Sequence, residues 1–355
     1  MAKTDTVNLD TLNLTNVDLS LPQMMRAIVL IEPNESICLS ETTLPVPECC
    51  ENELLVKVEY VGLNPVDAIL SKSGFCQWQY PHILGLDAVG IVVKAQKGVY
   101  PNVGDRVMWH ASMSEQGALS EYTKVPNFAV SVVPDEVDAM TAAALPCAGM
   151  TALISLEKLR VTAGETILIE GGAGSVGQFA IQFAKQRGAD VFTTASKRNH
   201  KLLKQLGADA VFDYHDPKLC EKIRRELGPQ GFDAVLDSVG GESTIRNIEL
   251  MRFCGRIACL RPLPYFEQDL LDRKGPTISI VSLGGAWLDN SLCAQQKMGF
   301  MSKVMLDSVT KGEIQTPTLQ PIEFAASHIS DALNRQIDGT FTGKQIVKIS
   351  NSLRF

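Results

Sequence analysis

Residues 172 to 177 of this 355-residue chain read Gly172-Ala173-Gly174-Ser175-Val176-Gly177 and satisfy G-x-G-x-x-G, with Gly171 and the apolar run TILIE directly before them. The pattern suits a pyrophosphate. Gly172 permits a tight turn, Gly174 lets a phosphate approach the backbone, and Gly177 allows the next helix to pack closely on the sheet. Ser175 and Val176 open that helix, whose N-terminus faces the negative charge. A flexible Gly-rich loop is the alternative reading. Against it, the amphipathic QFAIQFAKQRGA and a second strand follow in the order such a site requires.

An acid about 20 residues past the loop would hold the ribose 2′-hydroxyl of NAD. None is there. The strand ADVFTT runs instead into Ala195-Ser196-Lys197-Arg198-Asn199. A 2′-phosphate pairs with Lys or Arg and is repelled by a carboxylate, so NADPH is expected over NADH. Lys197 and Arg198 read equally well, taken singly, as solvated residues at a helix start. Tyr214 ends the third strand on the adenosine side, and Val239 and Gly240 follow the fourth, at the carboxyl ends where open α/β sheets bind ligands. Each alone is also ordinary strand-end packing.

These residues need a sheet that delivers them to one edge. From residue 166 to about 285 the chain alternates strand and helix. TILIE, ADVFTT, DAVFDY, FDAVLDSV, GRIACL and TISIVSL read as strands, with crossover helices at 178–187, 201–206, 218–227 and 243–252. Such alternation predicts a doubly wound parallel sheet. Before it, from Met25, short β-rich runs (RAIVLI, LLVKVEYVGL, AVGIVVKA) separated by Pro, Gly and charged turns predict an antiparallel β domain. The segment 139–157 reads as helical. The segment 312–355 returns to turn-rich β character and could complete the first domain. Residues 1–24 look like an extension, giving an expected division into 1–24, a β domain of 25–150 with 312–355, and an α/β domain of 151–311.

Composition narrows the function classes. With 33 basic against 40 acidic residues the formal charge is −7, which argues against a nucleic-acid or anionic-lipid partner and leaves small ligands open. No apolar run reaches the roughly 18 residues of a bilayer span, and the N-terminus lacks a basic stretch followed by an apolar core, so no membrane partner is expected. The nine cysteines include no C-x-x-C pair. Buried free thiols in a reducing cytoplasm are the expectation.

The arrangement resembles the medium-chain dehydrogenase/reductase superfamily and, within it, the zinc-independent quinone oxidoreductase branch. The resemblance rests on Val61-Gly62-Leu63-Asn64-Pro65-Val66-Asp67, Ile83-Leu84-Gly85-Leu86-Asp87-Ala88-Val89-Gly90, Gly104-Asp105-Arg106-Val107, Gly117-Ala118-Leu119-Ser120-Glu121-Tyr122, residues 142–152, the glycine loop, Leu206-Gly207-Ala208-Asp209 and Gly343-Lys344. It implies a GroES-like β domain interrupted by a Rossmann domain, an active site in the cleft between them, and a homodimer formed through the Rossmann domain. Zinc-dependent members take ligands from a Cys in G-x-C-H-x-D and a His in Gly-His-Glu; here those places hold Asn64 and Leu86, with Asp87 after it, and the four-cysteine structural lobe is missing. Asn and Leu are poor zinc ligands, so no metal is expected. His82 and His110, without a third partner, read as surface or hydrogen-bonded residues.

Without a Lewis acid the acceptor must already be electron-poor, and quinones and conjugated enones fit. By resemblance, Asn64 lies beside the nicotinamide ribose and the acceptor and is the candidate catalytic residue; its other reading is a turn-shaping residue before Pro65. Thr151 opens a helix where relatives meet the phosphates or nicotinamide. Asp67 reads as supporting local backbone. Related enoyl-thioester reductases carry a Tyr where this chain has Phe75, although Tyr80 could substitute if its loop folds inward. Cys147 lacks a histidine within sequence reach and reads as unreactive. The expectation is thus a metal-free, NADPH-dependent quinone or enone reductase. An enoyl-thioester reductase and a non-catalytic NADPH-binding protein stand as alternatives.

Overall fold

A computed structural model describes residues 21–96, 98–341 and 343–349. All but the last four residues of the expected N-terminal extension therefore lie outside the described residues. Strands β1 (Met24–Leu30), β2 (Leu39–Pro45), β3 (Glu53–Gly62), β4 (His82–Ile83), β5 (Asp87–Lys94), β6 (Arg106–His110), β7 (Tyr122–Pro126) and β8 (Val130–Val132) come first. Next come β9 (Thr166–Ile169), β10 (Asp190–Thr194), β11 (Ala210–Phe212), β12 (Phe232–Asp237), β13 (Met251–Cys259) and β14 (Thr277–Ile280). β15 (Leu319–Glu323) and β16 (Lys344–Lys348) close the described chain.

β9 to β14 form one parallel sheet in the order β11-β10-β9-β12-β13-β14. The chain reverses direction across the sheet between β9 and β12, which opens a crevice at their carboxyl ends. Helices cover both faces because the strands are apolar on both: β9 and β12 bury Ile167, Leu168, Ile169, Val235 and Leu236 completely or nearly so. The other strands make two sheets, β2-β1-β4 and β15-β16-β3-β5-β6-β8, with β7 also on β3. Of the pairs in these two sheets, β15 with β16 is parallel and the rest are antiparallel. The mixed architecture is the expected one: a GroES-like antiparallel part and a Rossmann-type parallel part. β16 pairs with β3, so the end of the described chain returns to the sheet begun near its start.

Several local expectations need correction. The segment 312–355 is not only turn and strand, since residues Ala326–Ile337 form a helix. Ile329, Ala332 and Leu333 recur at helical spacing there and are fully buried in the β-domain core. The fourth crossover helix ends at Leu250, and β13 starts at Met251, ahead of the GRIACL run. Thr151 does not open a helix; it lies in the second turn of Pro146–Lys158. That helix crosses the expected 150/151 division and packs against β5, β6 and the helix Ser175–Gln186. The nine cysteines are free, but only Cys259 is buried, while Cys38, Cys50, Cys76, Cys254 and Cys293 are exposed. Of these, Cys254 lies on β13, whereas Cys38, Cys50 and Cys76 lie outside helices and strands and Cys293 lies in the first turn of the helix Leu292–Thr310.

Candidate active site

The expected cofactor residues, apart from Asn64 and Thr151, follow the carboxyl ends of four adjacent parallel strands. The glycine loop follows β9, Ser196 to Arg198 follow β10, Tyr214 follows β11, and Val239 and Gly240 follow β12. Two bonds tie the loop to β10: Gly171 N–H donates to Thr194 Oγ1 (3.2 Å) and Gly172 N–H to the Thr194 carbonyl (3.0 Å). A Cβ on Gly172 would stand 2.0 Å from Thr193 Oγ1, and one on Gly177 would stand 2.5 Å from the Gly171 carbonyl oxygen. The protein's own packing demands both glycines. Gly174 is different, since its Cβ would meet only the Gly171 carbonyl oxygen, at 3.3 Å. Beside it begins the helix Ser175–Gln186, whose first-turn N–H groups, those of Ser175, Val176 and Gly177 among them, lack intrahelical partners.

Around the loop, Lys197 and Arg198 are exposed on a 3-10 turn that follows Ser196. Tyr214 is exposed, its ring 4.2 Å from that of His215. The Asp237 carboxylate accepts from the N–H groups of Val239 and Gly240, both at 2.9 Å, and fixes the turn after β12. Beneath the loop, Glu170 accepts from Ser243 Oγ, Asn247 Nδ2 and Arg246. Burial raises the pKa of Glu170 against those bonds.

A second polar cluster lies at one edge of the seven-stranded sheet. Its register assembles it: Ile346 of β16 pairs with Gly62 of β3, Gly62 with Asp87 of β5, and Asp87 with His110 of β6. Asn64 follows two residues after Gly62 and caps the helix Pro65–Ser73; Lys344 precedes Ile346 by two. Asp87 is the hub. Its Oδ1 accepts from His110 Nδ1 (2.8 Å) and the Cys147 N–H (2.9 Å). Its Oδ2 accepts from Asn64 Nδ2 (2.8 Å) and Lys344 Nζ (3.0 Å). Lys344 Nζ also donates to Asn64 Oδ1, and Asn64 Nδ2 reaches the Gly62 carbonyl (3.2 Å). Asn64 is 3% exposed and every polar atom of its amide has a protein partner. Asp67 supports the local backbone as expected, accepting the Asn64 N–H at 2.8 Å.

Gly62 has its own steric reason. A Cβ there would stand 2.4 Å from the Ala143 carbonyl oxygen and 3.1 Å from Lys344 Cε, closing the path the lysine takes to Asp87.

Charge in this cluster is strongly perturbed. Burial opposes ionisation of Asp87, but the Lys344 ammonium, His110 and Asn64 together hold its carboxyl below the usual range. Asp67 has no such cation in contact; burial first, and the neighbouring Asp87 charge, push it up to about 6. The Cys147 thiol is driven upward by burial and then by Asp87. A histidine does approach this cysteine: ligand atoms of Asp87, His110 and Cys147 lie within 4.8 Å of one another, a proximity that the sequence separation concealed. His82 is also buried, stacked on Trp78 with ring centroids 3.9 Å apart, and burial lowers it to about 4.

A cavity of about 1040 Å³ is lined by Ala111, the residue after His110, but not by Asn64, Asp87, His110, Cys147 or Lys344. Tyr80 and Trp287 stand in its wall, so the Tyr80 loop does fold toward it. The wall also carries Glu48, Glu53 and Glu115 against one lysine, Lys124, which Glu53 holds at 3.0 Å.

Residues 175–261 match the zinc-binding dehydrogenase family and residues 50–135 match the alcohol dehydrogenase GroES-like domain. Quinone oxidoreductase of Sus scrofa is 30% identical over 252 residues, covering 69% of this chain and 75% of that protein. The chain belongs to the medium-chain dehydrogenase/reductase superfamily, in its quinone oxidoreductase-like branch. This family consists of nicotinamide-nucleotide-dependent oxidoreductases. A 2-methylene-furan-3-one reductase of Solanum lycopersicum is 34% identical over 250 residues, 66% of this chain and 62% of that protein, so the match spans less than two thirds of the tomato chain. Trans-enoyl reductase tazE of Aspergillus terreus is 34% identical over 216 residues, 56% of this chain and 71% of that one. Among solved structures, the quinone oxidoreductase from Coxiella burnetii superposes with a TM-score of 0.78 at 28% identity, covering 92% of this chain and 100% of that one. A mycobacterial protein complexed with NADPH gives 0.79 at 25% identity, over 91% and 99%. No helix among the described residues is long and apolar enough to cross a membrane.

Proposed function

We propose that this protein is an NADPH-dependent reductase of quinones or α,β-unsaturated carbonyls that works without a metal. The observation that carries the reading is the edge of the parallel sheet, where a pyrophosphate-shaped glycine loop stands beside an acid-free turn bearing two exposed cations. The residues fit NADPH. Gly172, Gly174, Ser175, Val176 and Gly177 would hold the pyrophosphate; Ser196, Lys197, Arg198 and Tyr214 the phosphorylated adenosine; Val239, Gly240 and Thr151 the remainder. Bound there, the nicotinamide supplies a hydride. Asn64 would meet the nicotinamide ribose, and Lys344 and Asp87 hold its amide in one orientation.

The acceptor would enter the cavity walled by Tyr80, Ala111 and Trp287. Its excess of carboxylates disfavours polyanionic thioester carriers and is indifferent to neutral quinones and enones. A trans-enoyl reductase in the family keeps the thioester reading as the second one, with Tyr80 in the cavity wall as its candidate tyrosine. The metal-free reading draws support from the donor set, since Asn64 and Leu86 offer zinc nothing and Asp87 is saturated by four hydrogen bonds. A cytoplasmic homodimer completes the reading, with β14 as the exposed edge of the Rossmann sheet and Ile280 half exposed on it.

The test is NADPH oxidation against a panel of quinones, enones and a crotonyl thioester, with NADH for comparison and a chelator control. Turnover of quinones or enones that survives the chelator is the expected result. Thioester rates far above the others select the second reading, and tight NADPH binding without any turnover selects a non-catalytic role. Asn64→Ala should lower kcat/KM by about tenfold to a hundredfold.

A further inference from the structure

Asp87, His110 and Cys147 are three zinc-type donors gathered within 4.8 Å in the interior, and a lysine side chain that is 3% exposed stands on the same carboxylate. We propose that Lys344 is the resident cation of this pocket and that its ammonium keeps divalent metal off the Asp87–His110–Cys147 donor set, which becomes a zinc-class site only when that charge is removed. The inference rests on the metal-free reading above and gives it a physical cause.

The geometry is specific. A metal bound by this set would need a lone pair on Asp87, a free imidazole nitrogen and a thiolate. Asp87 Oδ2 is committed to Lys344 and Asn64, and Oδ1 to the Cys147 N–H and to His110, which spends Nδ1 on it. The ammonium neutralises the one charge that would attract a cation, and two positive centres on one buried carboxylate repel strongly in a medium of low dielectric. Lys344 is also placed by design of the strand pairing rather than by chance contact: β16 docks in register on β3, and Gly62 lacks the Cβ that would obstruct the lysine stem.

The wild-type protein and Lys344→Met are titrated with Co2+ without NADPH, following the thiolate-to-cobalt charge-transfer band, and bound metal is counted after gel filtration. Wild type should show no band and retain no stoichiometric metal. Folded Lys344→Met should gain about one equivalent together with the band, and Lys344→Met/Cys147→Ser should lose both. Lys344→Gln, which keeps an N–H donor for Asp87, gives the same readout if the Met variant does not fold. A wild-type protein that takes up an equivalent with the band overturns the proposal, as does a folded variant that binds no more than wild type. Turnover is not read, so failure of the acceptor panel sinks the proposed activity without touching this result.

Discussion

Lys344 and Asp87 form an ion pair at 3.0 Å with side chains 3% and 0% exposed, across 257 positions of sequence. Removing one partner from such a pair leaves a buried charge uncompensated. Lys344→Met should therefore lose about 3–5 kcal/mol of stability in urea melts, and Lys344→Met/Asp87→Asn should recover much of that loss. Equal losses in the single and double variants would show that the two side chains do not stabilise each other.

The glycines of the phosphate loop separate into two kinds. Gly177→Ala places its Cβ 2.5 Å from the Gly171 carbonyl oxygen, so it should lower Tm whether or not NADPH is present. Gly174→Ala meets only one atom, at 3.3 Å. It should leave Tm nearly unchanged while weakening NADPH binding measured by fluorescence titration, because the methyl stands where phosphate must approach. A Gly174→Ala protein that binds NADPH as wild type does would place the pyrophosphate elsewhere.

Coenzyme selectivity should reside in Lys197 and Arg198. The double variant Lys197→Ala/Arg198→Ala loses charge-assisted bonds to the 2′-phosphate, and the NADPH-to-NADH ratio of kcat/KM should fall by about tenfold to a hundredfold. NADH kinetics should hardly move. A ratio that stays constant would reduce both cations to the solvated residues that one reading of the sequence makes them.

The parallel sheet and the loops at its carboxyl edge were legible because periodicity and glycine chemistry are local properties. TILIE, the glycine loop and the helix after it lie within about twenty residues of each other, a distance over which pattern dictates structure. The buried cluster was not legible in the same way. Asp87, His110 and Lys344 come together through strand register and Cys147 joins them from the start of a helix, and nothing near Lys344 in sequence announces a partner 280 positions earlier. His110 read as hydrogen-bonded or superficial, and the first is what it is. The helix Ala326–Ile337 was missed although its apolar residues recur at helical spacing, because the strand signals on either side of it dominated the segment.

Asp67 and His82 titrate in opposing directions. With Asp67 raised to about 6, the folded state binds more protons than the unfolded chain, so stability falls as pH climbs from about 4 to about 6. With His82 lowered to about 4, the unfolded chain binds more protons and stability rises from about pH 4 to about pH 6.5. Each contribution is about 3 kcal/mol, so the two nearly cancel in the wild-type protein. Asp67→Asn should be more stable than wild type at neutral pH and should show an uncovered acid sensitivity below pH about 6.5. His82→Phe should show the reverse slope. Urea midpoints across this range that shift in parallel, without a change of slope, would contradict the assignment.

Because the lysine that completes the cluster is delivered by β16, the interior charge of Asp87 has no counterpart while the first half of the chain stands alone. The sheet that the early β strands begin is completed only by residues made after the whole parallel sheet. A nascent chain arrested before β16 would leave the stretch of β3 from Tyr60 to Gly62 without that strand partner, an open sheet edge for chaperones to cover.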